Sequence, residues 1–429
     1  MIRLYIVSND LIAMEEIILD EDVDYAYDFI KDVCTNIGPG CPCSPQETAR
    51  GMKAKEELEK TVDEVHVEEF KCSPHAFIKW FQPAVVLAVI AMACFYLSLY
   101  LGNELLYSTI AIVIAYVIVL LTILEFVLTK EVIDFMYPKK TSINVAGKLG
   151  PLDGEQPKRI IIFSGHHDSA LQFTWFQHLR GGYVVAVAIL FITVIYLTAL
   201  LTIRFILLLA SIQADWITFQ LYIVTWTFLP VTFIIAWFFS EDGKNGGTVP
   251  GAIDNLSAVS CVLALGRIIK RHPELIPAGT EIRFVSFGCE EAGERGSVSY
   301  VRNHLDELRE KDAVCFNFES LYNPDLTILK SDSNGFVKND PATVASVAEA
   351  AKAAKVPASI KGFIFGGGGS DAMKFSEYHI KAVCLFGMNV PGDAGIFYHQ
   401  TRDNYDVVNK EALLNALKIA VAYLQGFKA

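Results

Sequence analysis

Four stretches of the chain, residues 80–101, 105–124, 181–203 and 216–239, carry no charged side chain, whereas elsewhere apolar and polar positions alternate as in elements that bury one face. Each stretch is long enough to cross a bilayer as a helix. Trp80, Trp216 and Trp237 stand at or near their ends, where indole rings favour the membrane interface. Only residues 102–104 separate the first pair and residues 204–215 the second, so the four read as two transmembrane hairpins with everything else on one side. Around them, residues 24–34 and 46–60 have helical spacing, and residues 64–70 have the period of two expected of a strand. Residues 142–148 and 159–164 read as strands, the second apolar on both faces from Ile160 to Phe163. Past the second hairpin, 258–270, 297–310, 342–354, 370–378 and 410–425 read as helices and 281–287, 313–318 and 380–386 as strands. Helices interleaved with apolar strands predict an α/β fold, a sheet layered by helices.

Composition agrees with the hairpins. A chain of 429 residues that is 52% hydrophobic and 20% charged is too apolar for an ordinary soluble enzyme. Lys and Arg total 36 against 48 Asp and Glu, a net charge of -12 without the basic surplus that neutralises phosphates, so nucleic acid is not an expected partner. Lys71, Lys79, Lys130, Lys139, Lys140, Arg180 and Lys244 flank the spans on the large side, and the short turns offer only Arg204. The positive-inside rule then puts the large side in the cytoplasm. The nine cysteines, an odd number without framework spacing, read as reduced thiols. Cys41 and Cys43 lack the second pair that a metal site of that kind needs. No basic region followed by a short apolar stretch and a small-residue cleavage site marks the N-terminal segment as a signal peptide.

The candidate chemistry lies where the strands end, the edge at which open α/β sheets bind ligands. His166, His167 and Asp168 follow the strand at 159–164; an imidazole can ligate zinc while a carboxylate two residues on orients its ring. Asp254 lies in a Gly-flanked turn that feeds a helix, where it can equally serve as an ordinary cap. Glu290 and Glu291 are adjacent at a strand end, an arrangement that a cation or a shared proton reconciles. Glu319 ends the strand at 313–318, and Tyr398 and His399 lie near the C-terminus. Each alone is compatible with a structural role. The Gly-rich stretch 366–369 lacks the Lys-Ser/Thr ending of a phosphate loop and reads as a flexible rim.

Taken in order, these motifs resemble the co-catalytic dizinc exopeptidases of metallopeptidase family 28, with Ile37-Gly38-Pro39-Gly40, Gly296-Ser297, Tyr300-Val301 and Gly369-Ser370-Asp371 falling where that family has its own. The resemblance implies a zinc exopeptidase fold, a mixed twisted sheet flanked by helices, here with the two hairpins inserted. It implies two zinc ions, bridged by Asp254, with His166 and Glu319 on one and Glu291 and His399 on the other. It also implies Asp168 as the residue orienting His166, Glu290 as general base, and Tyr398 as a donor to the oxyanion. The peptidase domain would comprise residues 1–79, 125–180 and 240–429, interrupted by hairpins at 80–124 and 181–239.

Two features depart from the family. Glu319 stands where its aminopeptidases usually have Asp, a trait of the carboxypeptidase-like relatives, which leaves the direction of substrate binding open. Asp168 and Asp254 are 86 positions apart because the second hairpin lies between them. The tethers from Asp168 to residue 181 and from residue 239 to Asp254 reach at most roughly 40 to 55 Å, so the metal centre is expected close to the membrane surface. The expected function is that of a membrane-anchored exopeptidase acting on small or hydrophobic peptides. The alternatives are a metal amidohydrolase of amphiphilic N-acyl amides, a single-metal glutaminyl cyclase, or a binding protein on the same scaffold.

Overall fold

The computed structural model describes residues 14–240, 247–363, 368–390 and 392–427; Lys244 and positions 366 and 367 of the Gly-rich stretch lie outside them. Among the described residues nine strands form one mixed sheet: β1 Glu64–Cys72, β2 Lys140–Leu149, β3 Arg159–His166, β4 Thr280–Phe287, β5 Val314–Glu319, β6 Leu326–Asp332, β7 Val337–Lys338, β8 Ala358–Gly362 and β9 Lys381–Phe386. Their order is β1-β2-β4-β3-β5-β9-β6-β7, with β8 paired to β6. The central four, β4-β3-β5-β9, are parallel, and antiparallel pairs flank them on both sides. The register aligns His166 with Phe287 and Glu319 with Phe386, so the carboxyl ends of the parallel strands form one edge.

Successive side chains of the central strands feed two cores. Ile161, Phe163, Phe284, Phe316 and Phe318 face a layer formed by helices Asp20–Asp32, Ser257–Arg271 and Lys410–Gly426. Ile160, Ile162, Val285, Phe287 and Cys315 face helix Arg295–Glu310, helix Asp371–Glu377 and the bases of the apolar hairpins. Trp80, Phe81, Phe126, Tyr183 and Phe239 belong to this second core, so the hairpins are packed into the fold rather than appended to it.

The first hairpin leaves from the end of β1 and returns to β2, its antiparallel neighbour; the second leaves after β3 and returns ahead of helix Ser257–Arg271. Four helical stretches, Ala76–Tyr100, Glu104–Val127, Thr174–Leu209 and Asp215–Trp237, are long and apolar enough to cross a membrane, with only 33% to 44% of their most apolar windows buried in the protein. Val113, Ile192, Ile195, Phe219 and Trp226 are left exposed on them. A fifth stretch, Ala252–Arg271, passes the same test of length and composition but is 94% buried, because it is the central core helix beneath the sheet.

Several sequence-based boundaries need correction. The third apolar helix continues past residue 203 to Leu209, which puts Arg204 inside the helix rather than in the turn. The reason is that the Arg204 guanidinium is paired: it donates to Ser108 Oγ at 2.8 Å and Glu104 Oε1 at 2.7 Å, tying the tips of the two hairpins together. Strands β6, β7 and β8 were not anticipated. β7 has two residues, β8 is a half-exposed edge strand, and β6 is a brief apolar run that has no periodicity to distinguish it from a loop.

Candidate metal centre

His166 is the last residue of β3 and Glu319 the last of β5, while Glu290 and Glu291 follow β4 past the turn at Gly288 and Cys289. Asp254 has non-helical dihedrals (φ -112°, ψ 87°) in the turn before helix Ser257–Arg271. Gly251 makes this turn possible: it adopts φ +68°, and a Cβ there would lie 2.6 Å from Ser169 Cβ and 2.7 Å from the Asp254 carbonyl oxygen. Thus three strand ends, one turn and the loop after β9 bring the predicted residues to a single cleft.

Asp254 lies between the two histidines. Its Oδ1 is 3.3 Å from His166 Nε2 and its Oδ2 is 3.3 Å from His399 Nε2. Around His166 Nε2 stand Glu290 Oε2 at 3.5 Å and Glu319 Oε1 at 3.9 Å; Glu291 Oε2 is 3.2 Å from His399 Nε2. The Nε2 atoms of both histidines are buried and make no hydrogen bond, and neither does Glu291 Oε1. Nitrogen and oxygen ligands held tetrahedrally on one zinc ion are about 3.4 Å apart, given metal–ligand distances of about 2.0 to 2.2 Å. The separations observed bracket that value. Two buried Nε2 atoms without hydrogen bonds, each facing two or three carboxylate oxygens, fit metal ligands better than a solvated acidic loop.

The electrostatics show the same need for positive charge. Burial, followed by neighbouring carboxylates, drives the Glu290, Glu291 and Glu319 carboxyls above their ordinary range. Burial pulls the His399 ring down, but Glu291 and Asp254 outweigh it and lift the ring to about 9. His166 is likewise held well above its ordinary value, with burial overcome by Glu290, Asp168 and Asp254. Asp254 is lowered in spite of its burial because both imidazoles face it.

A surrounding set of groups holds this constellation. Asp168 accepts the backbone N–H groups of Glu290 at 3.1 Å and Glu291 at 3.0 Å while its Oδ1 lies 3.3 Å from His166 Nδ1, so one carboxylate braces both sides of the site. Asp403 accepts from the N–H groups of Ile253 at 2.6 Å and Asp254 at 3.1 Å. Asn255 donates to Glu319 Oε2 at 2.9 Å and accepts from the Ser320 N–H at 3.0 Å. Arg50 ties the carbonyls of Gly38, His167 and Pro250 together. Sequence reasoning did not assign roles to Asp403, Asn255 or Arg50; the first two are signalled only by their closeness in sequence to His399 and Asp254. His167 faces away, with Nδ1 2.9 Å from Ser286 Oγ.

The cleft has two unlike walls. One carries Asp332, Ser370 and Met388 beside the carboxylates, and the other is aromatic, with Phe77, Phe126, Phe173 and Tyr183. Phe173 lies edge-on to His399 at 4.2 Å, and its ring also meets Phe239 at 4.9 Å and Tyr183 at 6.1 Å, the end of the fourth apolar stretch and the start of the third apolar helix. Tyr398 is half-buried and stacks on His399 at 3.9 Å. Cys43 does not pair with Cys41; its sulfur meets Cys72 and Cys289 instead.

Comparison with known proteins bears on the family and the fold. The model of peptidase family M28 matches residues 240–424. Aminopeptidase YwaD of Bacillus subtilis (strain 168) is 30% identical over 176 residues, which is 40% of this chain and 37% of the relative, so the match spans well under half of that protein. Among solved structures, BSAP, a zinc aminopeptidase from Bacillus subtilis, superposes with a TM-score of 0.52 at 16% identity, covering 94% of this chain and 95% of its own. The Porphyromonas gingivalis glutaminyl cyclase superposes with a TM-score of 0.54 at 13% identity, covering 94% and 98%. At such identities the structural likeness speaks for the fold, and the family match covers the segment that supplies Asp254, Glu290, Glu291, Glu319 and His399. Residues 240–424 are thus similar to peptidase family M28, and the chain shares its fold with a zinc aminopeptidase.

Proposed function

We propose that this chain is a membrane-anchored dizinc exopeptidase, aminopeptidase-like in its fold, that cleaves small or hydrophobic peptides. The observation that carries the reading is Asp254, whose two carboxylate oxygens face one histidine each at 3.3 Å while Glu319 and Glu291 flank the two sides. His166 and Glu319 would hold one zinc ion, Glu291 and His399 the other, and Asp254 would bridge them. When bound, such a pair supplies a water of lowered pKa and polarises the scissile carbonyl.

The chain's own residues do the rest. Glu290 lines the cleft, partly buried, with a raised carboxyl pKa, as suits a base that would take the water's proton and return it to the leaving amine. Asp168 keeps the Glu290–Glu291 backbone and the His166 ring in register. Tyr398, at the cleft wall, offers its hydroxyl to the developing oxyanion. The aromatic wall admits apolar side chains, and its continuity with the apolar helices supports a substrate that arrives at the membrane surface. The basic residues flanking the spans favour a cytoplasmic catalytic domain.

The decisive experiment compares wild type with Glu290→Gln on a panel of short peptides, N-acyl amides and N-terminal glutaminyl peptides. Peptide release that is abolished by a chelator and falls about 10²- to 10⁴-fold in the variant, with zinc content unchanged, is expected. Cyclisation of glutaminyl peptides or amide hydrolysis without peptide cleavage would replace this reading with one of its alternatives.

A further inference from the structure

Cys43, Cys72 and Cys289 come from three distant parts of the chain and meet beside the loop that carries Glu290. Cys43 Sγ is 3.5 Å from Cys72 Sγ and 3.3 Å from Cys289 Sγ, and the three sulfurs all lie within 4.8 Å of one another. Cys72 ends β1, Cys289 follows β4, and both are buried; Cys43 is partly buried in the loop before helix Pro45–Leu58. A fully buried carboxylate adjoins them. Glu47 Oε1 is 3.2 Å from Cys289 Sγ, and Glu47 Oε2 accepts the Cys43 N–H at 2.7 Å.

Distances decide between the chemistries open to such a trio. Thiolates on one tetrahedral zinc ion, with Zn–S of about 2.3 Å, stand about 3.8 Å apart, whereas a disulfide needs about 2.05 Å. The observed 3.3 and 3.5 Å are a few tenths of an ångström short of the first and more than an ångström from the second. A disulfide would also use only two of the three sulfurs, while soft thiolate donors are what zinc and similar cations select.

We propose that Cys43, Cys72 and Cys289 form a zinc site of their own, separate from the cluster around Asp254, with Glu47 accepting the Cys43 and Cys289 backbone N–H groups and so holding two of the three ligands in place. Binding releases to solvent the protons that the sulfurs carry as three Zn–S bonds form, with no change of oxidation state. The ion links the Glu290 loop to the end of β1 and to the loop before helix Pro45–Leu58. The proposal stands whether or not the Asp254 cluster is a peptidase centre.

The test uses full-length protein in detergent, stripped of metal under a reductant and titrated with Co2+. Wild type is expected to show the near-ultraviolet thiolate-to-cobalt charge-transfer band, which carboxylate and imidazole ligands do not give, and to bind one equivalent more than Cys72→Ser. Should that variant fail to fold, X-ray absorption of the zinc-loaded wild type replaces it, with sulfur neighbours at about 2.3 Å expected. Cobalt binding without the band, a band that survives Cys72→Ser, or a zinc spectrum without sulfur overturns the proposal. So does a Cys43–Cys72 or Cys43–Cys289 disulfide formed with oxidised glutathione in protein that gives no band, which would make the trio a redox pair with a spectator.

Discussion

Replacing Asp168 by Asn tests whether one carboxylate braces both halves of the metal centre. Asp168 faces two backbone N–H donors, Glu290 at 3.1 Å and Glu291 at 3.0 Å, and its Oδ1 is 3.3 Å from His166 Nδ1. The Asn side chain keeps one oxygen acceptor and turns the other position into an NH2 donor. With the oxygen in the Oδ1 place, Glu290 and His166 keep an acceptor and the new donor confronts the Glu291 N–H. The opposite orientation confronts both Glu290 and His166 and is the worse one. The minimum loss is therefore one charge-assisted hydrogen bond, about 1.5 to 3 kcal/mol, together with the negative charge that supports the imidazole. Removing a partner that orients a metal ligand costs about 10- to 100-fold in metal affinity, or about 1.4 to 2.8 kcal/mol. The assay is zinc competition against a chromophoric chelator, with Tm of the metal-free protein measured in parallel to isolate the backbone contribution. Zinc affinity is expected to fall by at least tenfold in Asp168→Asn. An affinity within twofold of wild type would refute the reasoning, because it would mean that neither the Glu291 N–H nor the His166 ring depends on this carboxylate.

Three further outcomes are expected. Asp403→Ala strips the acceptor from the Ile253 and Asp254 N–H groups, so zinc should be lost from both positions together rather than from one; metal titration of the variant checks this. Burial is outweighed by Glu291 and Asp254, which lift the His399 ring to about 9, and zinc requires the neutral ring, so apparent zinc affinity should climb as pH rises toward that value; isothermal titration at several pH values should also show proton release on binding. Single cysteines introduced at Asn103 and Gln213 in a background lacking reactive native thiols should label from outside intact cells, and one at Lys139 should not; the reverse pattern would overturn the proposed orientation.

Much of this protein was legible in its sequence because the relevant signals are local. An uncharged run of twenty or more residues is long and apolar enough to cross a membrane as a helix, and these runs do fold as long apolar helices, while strands apolar on both faces, such as Ile160 to Phe163, must sit inside a layered sheet. The order of His166, Asp254, Glu290, Glu291, Glu319 and His399 sufficed to pick out residues that the fold gathers around Asp254. Other features depend on neighbours that are remote in sequence. Arg204 is tolerated within a helix only because Glu104 lies beside it, 100 positions away. The helix Ala252–Arg271 has the composition of a span, yet the sheet and the helices around it leave it 94% buried. Asp403 acts on a turn 149 residues earlier, and Cys43 finds its partners in Cys72 and Cys289 rather than in its neighbour Cys41. Hydrophobic periodicity is a property of consecutive residues and can be read from the chain alone. Pairing of buried charges, thiols and hydrogen-bond donors is a property of space, and only the tertiary structure decides which remote group arrives to satisfy each one.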